Sequence, residues 1–341
     1  MKIFALLHTQ TDGSLPKAAL ETLTAATQLS QQMDGTLTVG VLGAKAAAAA
    51  DTVAGCGAAA FLAVGDDAVM QARYATDAAA ATALIQAADA EIVLAPGTSR
   101  FARCLLGVAF RVNAQIDTHI VAVCGEGGAV HAQRWFYRQR ILGSFSRTAR
   151  PWILLVDGGV NAVWQGTAGA ANAQAVAVAF TDEDVRTTVT GIEAPAADAQ
   201  TIRPDAQLLL VAGAGWTKKQ KDGQYHIGDA GRLIQDFLKQ AKASLGSSKS
   251  LVDIKSEGQE TLSFMSHMNQ VGQTGSTPRH AKGLSTCCHG EEPHVVGWRF
   301  INERRAINLD PNCGWAQGKA DVVYVADAFE VITKVNALLT V

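Results

Sequence analysis

Apolar and polar residues fall into blocks along the first half of the chain, and the blocks alternate between two periods. Ile3–Leu7 is an unbroken apolar run of strand length. Pro16–Gln32 then sets Ala19, Leu20, Leu23, Ala26 and Leu29 at helical spacing. Thr36–Leu42 reads as the next strand and Ala44–Ala54 as a helix. Ala60–Val64 and Glu91–Ala95 read as strands that bracket a helix near Asp77–Ala88. This βαβ alternation predicts a parallel sheet with helices on both faces. From Ile116 the pattern changes to strands alone: Ile116–Val123, His131–Tyr137, Arg140–Ser146 and Pro151–Val156. Gly127-Gly128 is a hairpin signal between the first two.

Gly191 to Gln207 has no periodicity and carries Pro195 and Pro204, as a linker does. A second α/β pattern opens with the strand Leu208–Val211, which runs into Ala212-Gly213-Ala214-Gly215. A helix is predicted over His226–Leu245, strands near Ser248–Val252, Ala306–Leu309 and Val322–Val325, and a closing helix over Ala326–Leu339. The chain therefore reads as two α/β domains. Residues 1–194 form a parallel-sheet domain with added antiparallel strands, 195–205 a linker, and 206–341 a doubly wound domain.

Length and composition narrow this picture further. At 341 residues the chain has room for two cores, given domains of ~100–200 residues. The formal net charge of -2, from 29 basic and 31 acidic residues, gives no reason to expect nucleic acid or an anionic membrane as partner. Arg134, Arg138, Arg140, Arg147 and Arg150 lie close together in sequence and read as a solvated strand-and-loop face. Cys56, Cys104, Cys124, Cys287, Cys288 and Cys313 are too few in a chain of this length for a disulfide scaffold. Met1–His8 is too short for a secretory leader and reads as a strand, while Asp51, Gly55 and Gly57 interrupt the alanine-rich Ala46–Val64. A soluble, cytoplasmic protein without membrane insertion is expected.

The candidate chemistry is concentrated in the second domain. Gln270-Val271-Gly272-Gln273-Thr274-Gly275 alternates glycine with amide and hydroxyl groups, which lets backbone N–H groups approach a flat polar ring or a phosphate. Ala306–Pro311 and Asp327–Val331 each sit where a short apolar run ends, and ligands of open α/β sheets lie at the carboxyl edge of the strands. Gly213-Ala214-Gly215 is not a dinucleotide fingerprint, because its third glycine would fall at Lys218. His280, Cys287, Cys288, His289, His294 and Cys313 raise the question of a metal, but adjacent cysteines chelate one ion poorly, and none is expected. In the first domain, Thr98 and Ser99 open a helix and read as N-caps. No nucleophile or acid–base constellation stands out. That agrees with a carrier, while an oxidoreductase using NAD or FAD on its own substrate, with His289 as its titratable residue, and a cofactor-free or nucleotide-sensing interaction subunit stay open beside it.

Gln270–Gly275, Ile307-Asn308-Leu309-Asp310-Pro311 and Asp327-Ala328-Phe329-Glu330-Val331 resemble, in order and spacing, the C-terminal domain of the electron transfer flavoprotein alpha subunit, which reads Q-V-G-Q-T-G, I-N-x-D-P and D-x-F-E-V. Gly246–Asp253 resembles the family's G-A-S-R-A-A-V-D with Lys249 in the arginine's place, and Ser285–His289 keeps part of its S-G-A-I-Q-H. Ala214 stands where the family has the arginine of G-R-G, with Lys218, Lys219 and Lys221 nearby. Pro96–Arg103 is similar to the family's G-A-T-x-x-G-R-D, and Asp117 to the acidic residue that follows. The resemblance implies FAD in the second domain. Gln273 and Thr274 would bond the isoalloxazine, Lys249 would be its cation, and His289 would lie at the ring. Ser248 and Ser285 would hold phosphates, and Asn308 and Asp327 would bind toward the adenosine end, with Gln270, Val271, Gly272, Gly275 and Ala328 completing the site. It further implies a carrier rather than an enzyme, a beta subunit packed against the first domain, a flavin-dependent dehydrogenase as donor, and a quinone reductase or other redox acceptor.

Overall fold

In the computed structural model, residues 1–136, 141–191, 202–203, 206–253, 261–272, 277–286 and 301–340 are described. They form two compact units, Met1–Ile192 and Glu193–Val341.

The first unit is built on the apolar runs that the sequence marks. Strands β1 (Lys2–His8), β2 (Thr36–Leu42), β3 (Ala60–Val64) and β4 (Ile92–Pro96) alternate with helices α1 (Lys17–Gln32), α2 (Ala46–Asp51), α3 (Tyr74–Ala87) and α4 (Ser99–Arg111). A long strand, β5 (Gln115–Glu126), is followed by β6 (Ala129–Phe136), β7 (Ile141–Ser146), β8 (Trp152–Val156) and the two-residue β9 (Gln174–Ala175). The sheet order is β7-β6-β5-β8-β4-β1-β2-β3-β9. β5, β8, β4, β1, β2, β3 and β9 run parallel, and β6 and β7 add antiparallel at the end. Strands buried on both faces need apolar residues at successive positions, and β1 supplies them. Ile3, Ala5 and Leu7 enter one core layer with Leu23 and Leu29, while Phe4 and Leu6 enter the other with Leu84 and Phe101. Gly127 and Gly128 turn β5 into β6 at φ 58° and 76°, the mirror-image turn that suits a two-residue hairpin.

The second unit is a five-stranded parallel sheet. It holds β10 (Leu208–Ala212), β11 (Ser244–Ser247), β12 (His280–Thr286), β13 (Ile301–Asn308) and β14 (Val322–Val325) in the order β11-β10-β12-β13-β14. Its helices include α5 (Ile227–Gln240), α6 (Lys249–Asp253), α7 (Gly314–Lys319) and α8 (Ala328–Leu339). One core layer gathers Leu210, Trp216, Ile234, Leu245 and Ile332, and the other Leu209, Val211, Val271 and Ala306. The fold is α/β in both units, as the sequence predicts.

Several elements differ from the sequence reading. The helix expected over Ala44–Ala54 runs only over Ala46–Asp51, after Lys45 at φ 51° and before a 3-10 turn at Ala54–Cys56. The helix expected over His226–Leu245 stops at Gln240, because Lys242 adopts a left-handed φ of 49° and cannot continue it. The chain then forms β11 where a helix end was expected, and α6 where the strand Ser248–Val252 was expected. β12 was not read as a strand at all, yet it lies between β10 and β13. The predicted strand ends at Tyr137 and Arg140, and most of the predicted linker, lie outside the described residues. No helix among the described residues is long and apolar enough to cross a membrane.

Candidate functional site

In the second unit the chain leaves β10 in one direction to β11 and returns across it to β12. The order reads 2-1-3-4-5 when the strands are numbered within the unit, and this reversal opens a crevice beyond the carboxyl ends of β10 and β12. The residues at that edge are Gly213–Thr217 after β10, Ser248 and Lys249 after β11, Ser285 and Thr286 at the end of β12, Asn308 at the end of β13, and Asp327 just beyond β14.

The loop that ends in Gln270-Val271-Gly272 is brought to the same edge by backbone pairing. Gln270 bridges Ser247, and the Val271 N–H donates to the Ser247 carbonyl at 3.1 Å. Ser266 and Asn269 close a reciprocal capping box just before it. The Val271 side chain lies on Gly246, where a Cβ would come within 2.4 Å of Val271 Cγ2, so a residue without a side chain is required there. Gly272 takes φ 82° and donates its N–H to Thr277 Oγ1 at 2.7 Å. Gln273, Thr274 and Gly275 lie outside the described residues, as do His289, Cys287, Cys288 and His294.

Three strand ends at this edge carry buried polar atoms that find no hydrogen-bond partner among the described residues: Ser247 Oγ, Ser285 Oγ and Asn308 Nδ2. Ser285 aligns with Ala306 across β12 and β13, and Asn308 stands two residues further along β13, so both side chains leave the same face. A buried hydroxyl or amide without a partner costs ~1–3 kcal/mol, and such a cost is tolerated where another group supplies the bond. Ser247 was not singled out from the sequence; its only signal there is its place beside Ser248. Asn308 Oδ1 is occupied locally, accepting from the Asp310 N–H at 2.9 Å.

The other expected site residues are more fully engaged within the fold. Ser248 Oγ accepts from the Leu251 N–H at 3.3 Å, and the Ser248 N–H donates to the Ala212 carbonyl at 2.9 Å, so this serine fastens α6 to β10. Lys249 is exposed, with Nζ 3.7 Å from Asp253 Oδ2. Asp327 caps α8, accepting from the Phe329 N–H at 2.8 Å, and its other oxygen lies 3.9 Å from Lys221 Nζ. The Ala328 methyl is in the core, as is that of Ala214. Trp216, also missed by the sequence reading, is fully buried and donates from Nε1 to Thr286 Oγ1 at 2.7 Å, tying the ends of β10 and β12 together. Thr286 passes the bond on, donating from Oγ1 to the Val211 carbonyl at 3.4 Å.

Of the Cys/His segment, His280 is buried with Nδ1 2.8 Å from the Pro278 carbonyl and Nε2 2.9 Å from the Arg203 carbonyl, which leaves neither nitrogen facing a metal. Among the described residues no group of His, Cys, Asp and Glu could hold a metal ion. In the first unit, Thr98 caps α4 and also meets His8 Nε2 at 2.7 Å, while Asp117 is buried, accepting from Arg147 Nη2 and Trp152 Nε1 at 2.9 Å each.

Compared with known families, residues 4–183 match the model of the electron transfer flavoprotein domain. None of the curated proteins compared with the chain matches it.

Proposed function

The chain belongs to the electron transfer flavoprotein family, and we propose that it is the FAD-binding alpha subunit of a heterodimeric electron transfer flavoprotein. On this reading it carries electrons from a flavin-dependent dehydrogenase to a quinone reductase or other redox acceptor and performs no bond chemistry on a substrate. The observation that carries the proposal is the set of buried polar atoms without a partner among the described residues, Ser247 Oγ, Ser285 Oγ and Asn308 Nδ2, at the edge where a doubly wound sheet receives its ligand. A nucleotide cofactor offers phosphate and hydroxyl oxygens that accept from such donors.

FAD would supply the redox chemistry when bound. This chain's own residues would bind and orient it. Ser285 and Asn308 would donate to acceptors on one face of the sheet, and the loop through Gln270 would close over the ring with Gln273 and Thr274. Lys249 is free to swing, since its surface pair with Asp253 is weak. Placed near the ring, it would offset the negative charge gained on reduction. Lys221, held near Asp327 at the same edge, supports a second positive contribution in place of the family arginine that Ala214 lacks. A homologous beta subunit would complete the assembly in the cytoplasm.

Denaturing the purified protein and identifying the released nucleotide tests the proposal. One FAD per chain is expected. Release of NAD would favour an oxidoreductase. Release of nothing would favour the cofactor-free interaction subunit, a reading supported by the Ala214 methyl lying in the apolar core where the family places a cation.

A further inference from the structure

We propose that the outer edge of β7 is a docking strand, which takes an extended, acidic and apolar segment of another polypeptide into the sheet of the first unit. The nine-stranded sheet has two ends. At one, β3 is covered by β9. At the other, β7 pairs with β6 on its inner side, and among the described residues nothing pairs with its outer side. An edge of this kind offers a row of free N–H and C=O groups, and proteins that must keep it free blunt it with lysine, proline or an inward charge. Ile141-Leu142-Gly143-Ser144-Phe145-Ser146 contains none of these.

The side chains beside the edge are apolar and open. Ile141 is 53% exposed and Leu142 43% exposed. As neighbours in a strand they point to opposite faces of the sheet. Phe136, directly opposite Ile141 on β6, is 38% exposed. An added strand is the one occupant that satisfies the edge groups and covers apolar side chains on both faces at once.

Charge defines the occupant further. The stretch from Arg134 to Arg150 holds Arg134, Arg138, Arg140, Arg147 and Arg150 and no acidic residue. Among the described residues, Asp117 on β5 answers two of them, bonded by Arg147 and 3.8 Å from Arg134 Nη1. Arg134 Cζ stands 4.9 Å above the Phe136 ring, which puts a cation at the margin of the apolar patch. Carboxylates flanking the apolar residues of the incoming segment complement this surface. A nucleic acid would meet the arginines but has no row of alternating donors and acceptors at strand spacing to pair with β7, and no aliphatic side chains to cover Ile141 and Leu142. The inference is independent of whether the second unit binds flavin.

The test uses the whole chain and a fluorescein-labelled peptide of about ten residues, a run of valines with glutamates at both ends. Its controls are the valine–lysine counterpart and a thymidine oligonucleotide of equal length. The glutamate peptide should bind with salt-sensitive affinity and slow hydrogen exchange over Ile141–Ser146, whereas the lysine peptide should not bind. Leu142→Lys and Ile141→Lys, both at exposed positions and expected to melt like wild type, should each weaken binding about tenfold. Phe110→Ser, at an exposed apolar position on α4, should leave it unchanged. Four results would each overturn the proposal: no binding of the glutamate peptide, equal binding of both peptides, unchanged binding in both lysine variants, or tighter binding of the oligonucleotide.

Discussion

His8, at the end of β1, has both ring nitrogens engaged. The Thr9 carbonyl, 3.2 Å from Nδ1, can only accept, so Nδ1 carries the imidazole proton and Nε2 accepts from the Thr98 hydroxyl, whose oxygen also accepts from the Phe101 N–H. Burial pushes this imidazole from 6.5 down to about 4, with the Arg100 cation adding to the effect and the Thr9 carbonyl opposing it. Because the folded-state pKa is depressed, its contribution to stability is full above the unfolded value of ~6.5 and is lost as pH falls toward 4. Up to ~3 kcal/mol should disappear over that window, and His8→Gln should flatten the dependence. Denaturant melts of both proteins at stepped pH check this; parallel curves would assign the effect to another group. Ser285 offers a second test. In flavin-free protein Ser285→Ala should be neutral or stabilising by up to ~1 kcal/mol, since the hydroxyl makes no bond among the described residues, while FAD affinity should fall by ~1 kcal/mol or more. Loss of stability with unchanged FAD affinity would reverse that assignment.

Among the elements, the seat of the Gln270 loop on β11 rests on Gly246. A methyl at this position overlaps Val271 Cγ2. Gly246→Ala should therefore cost ~1–3 kcal/mol and loosen the loop, and Val271→Ala in the same chain should recover part of the loss. Thermal melts of the two singles and the double complete the cycle; strict additivity would mean that the two residues do not meet. The same region shows why boundaries here were hard to read. Lys242 ends α5 in a left-handed conformation that glycine or asparagine usually marks, so nothing in the side-chain pattern announced the stop. The four-residue β11 and five-residue α6 follow at once, each too short to express a period. β12 escaped notice because His280, Lys282, Ser285 and Thr286 leave it no apolar run; His280 and Thr286 find their partners in parts of the chain distant in sequence.

For the whole molecule, the two sheets reverse strand order at different places: at β1 and β4 in the first unit, and at β10 and β12 in the second. Binding of FAD at the second of these should slow hydrogen exchange in β10, β11 and the loop from Ser266 to Gly272. At a hundredfold excess over Kd it should add ~2.7 kcal/mol to the stability of the unit that holds it. The strands β1 to β4 should exchange as before. Protection confined to the first unit would move the ligand to the other reversal and overturn the proposed site.

The sequence by itself determined the α/β class, the parallel core of the first unit and the hairpin at Gly127-Gly128, because unbroken apolar strands, 3.6-residue helical spacing and paired glycines are local signals. It also marked Ser285, Asn308 and the Gln270–Gly272 loop as candidates. Only the tertiary structure decided which of the marked groups are already bonded. Ser248 and Asp327 are taken up in capping helices and Ala328 in packing the core, whereas Ser285 and Asn308 keep buried atoms unanswered among the described residues. Trp216 and Thr286, 70 residues apart, became one clamp for the same reason. Hydrogen bonding and burial depend on neighbours distant in the chain, and those neighbours are set by strand order, which no local period encodes.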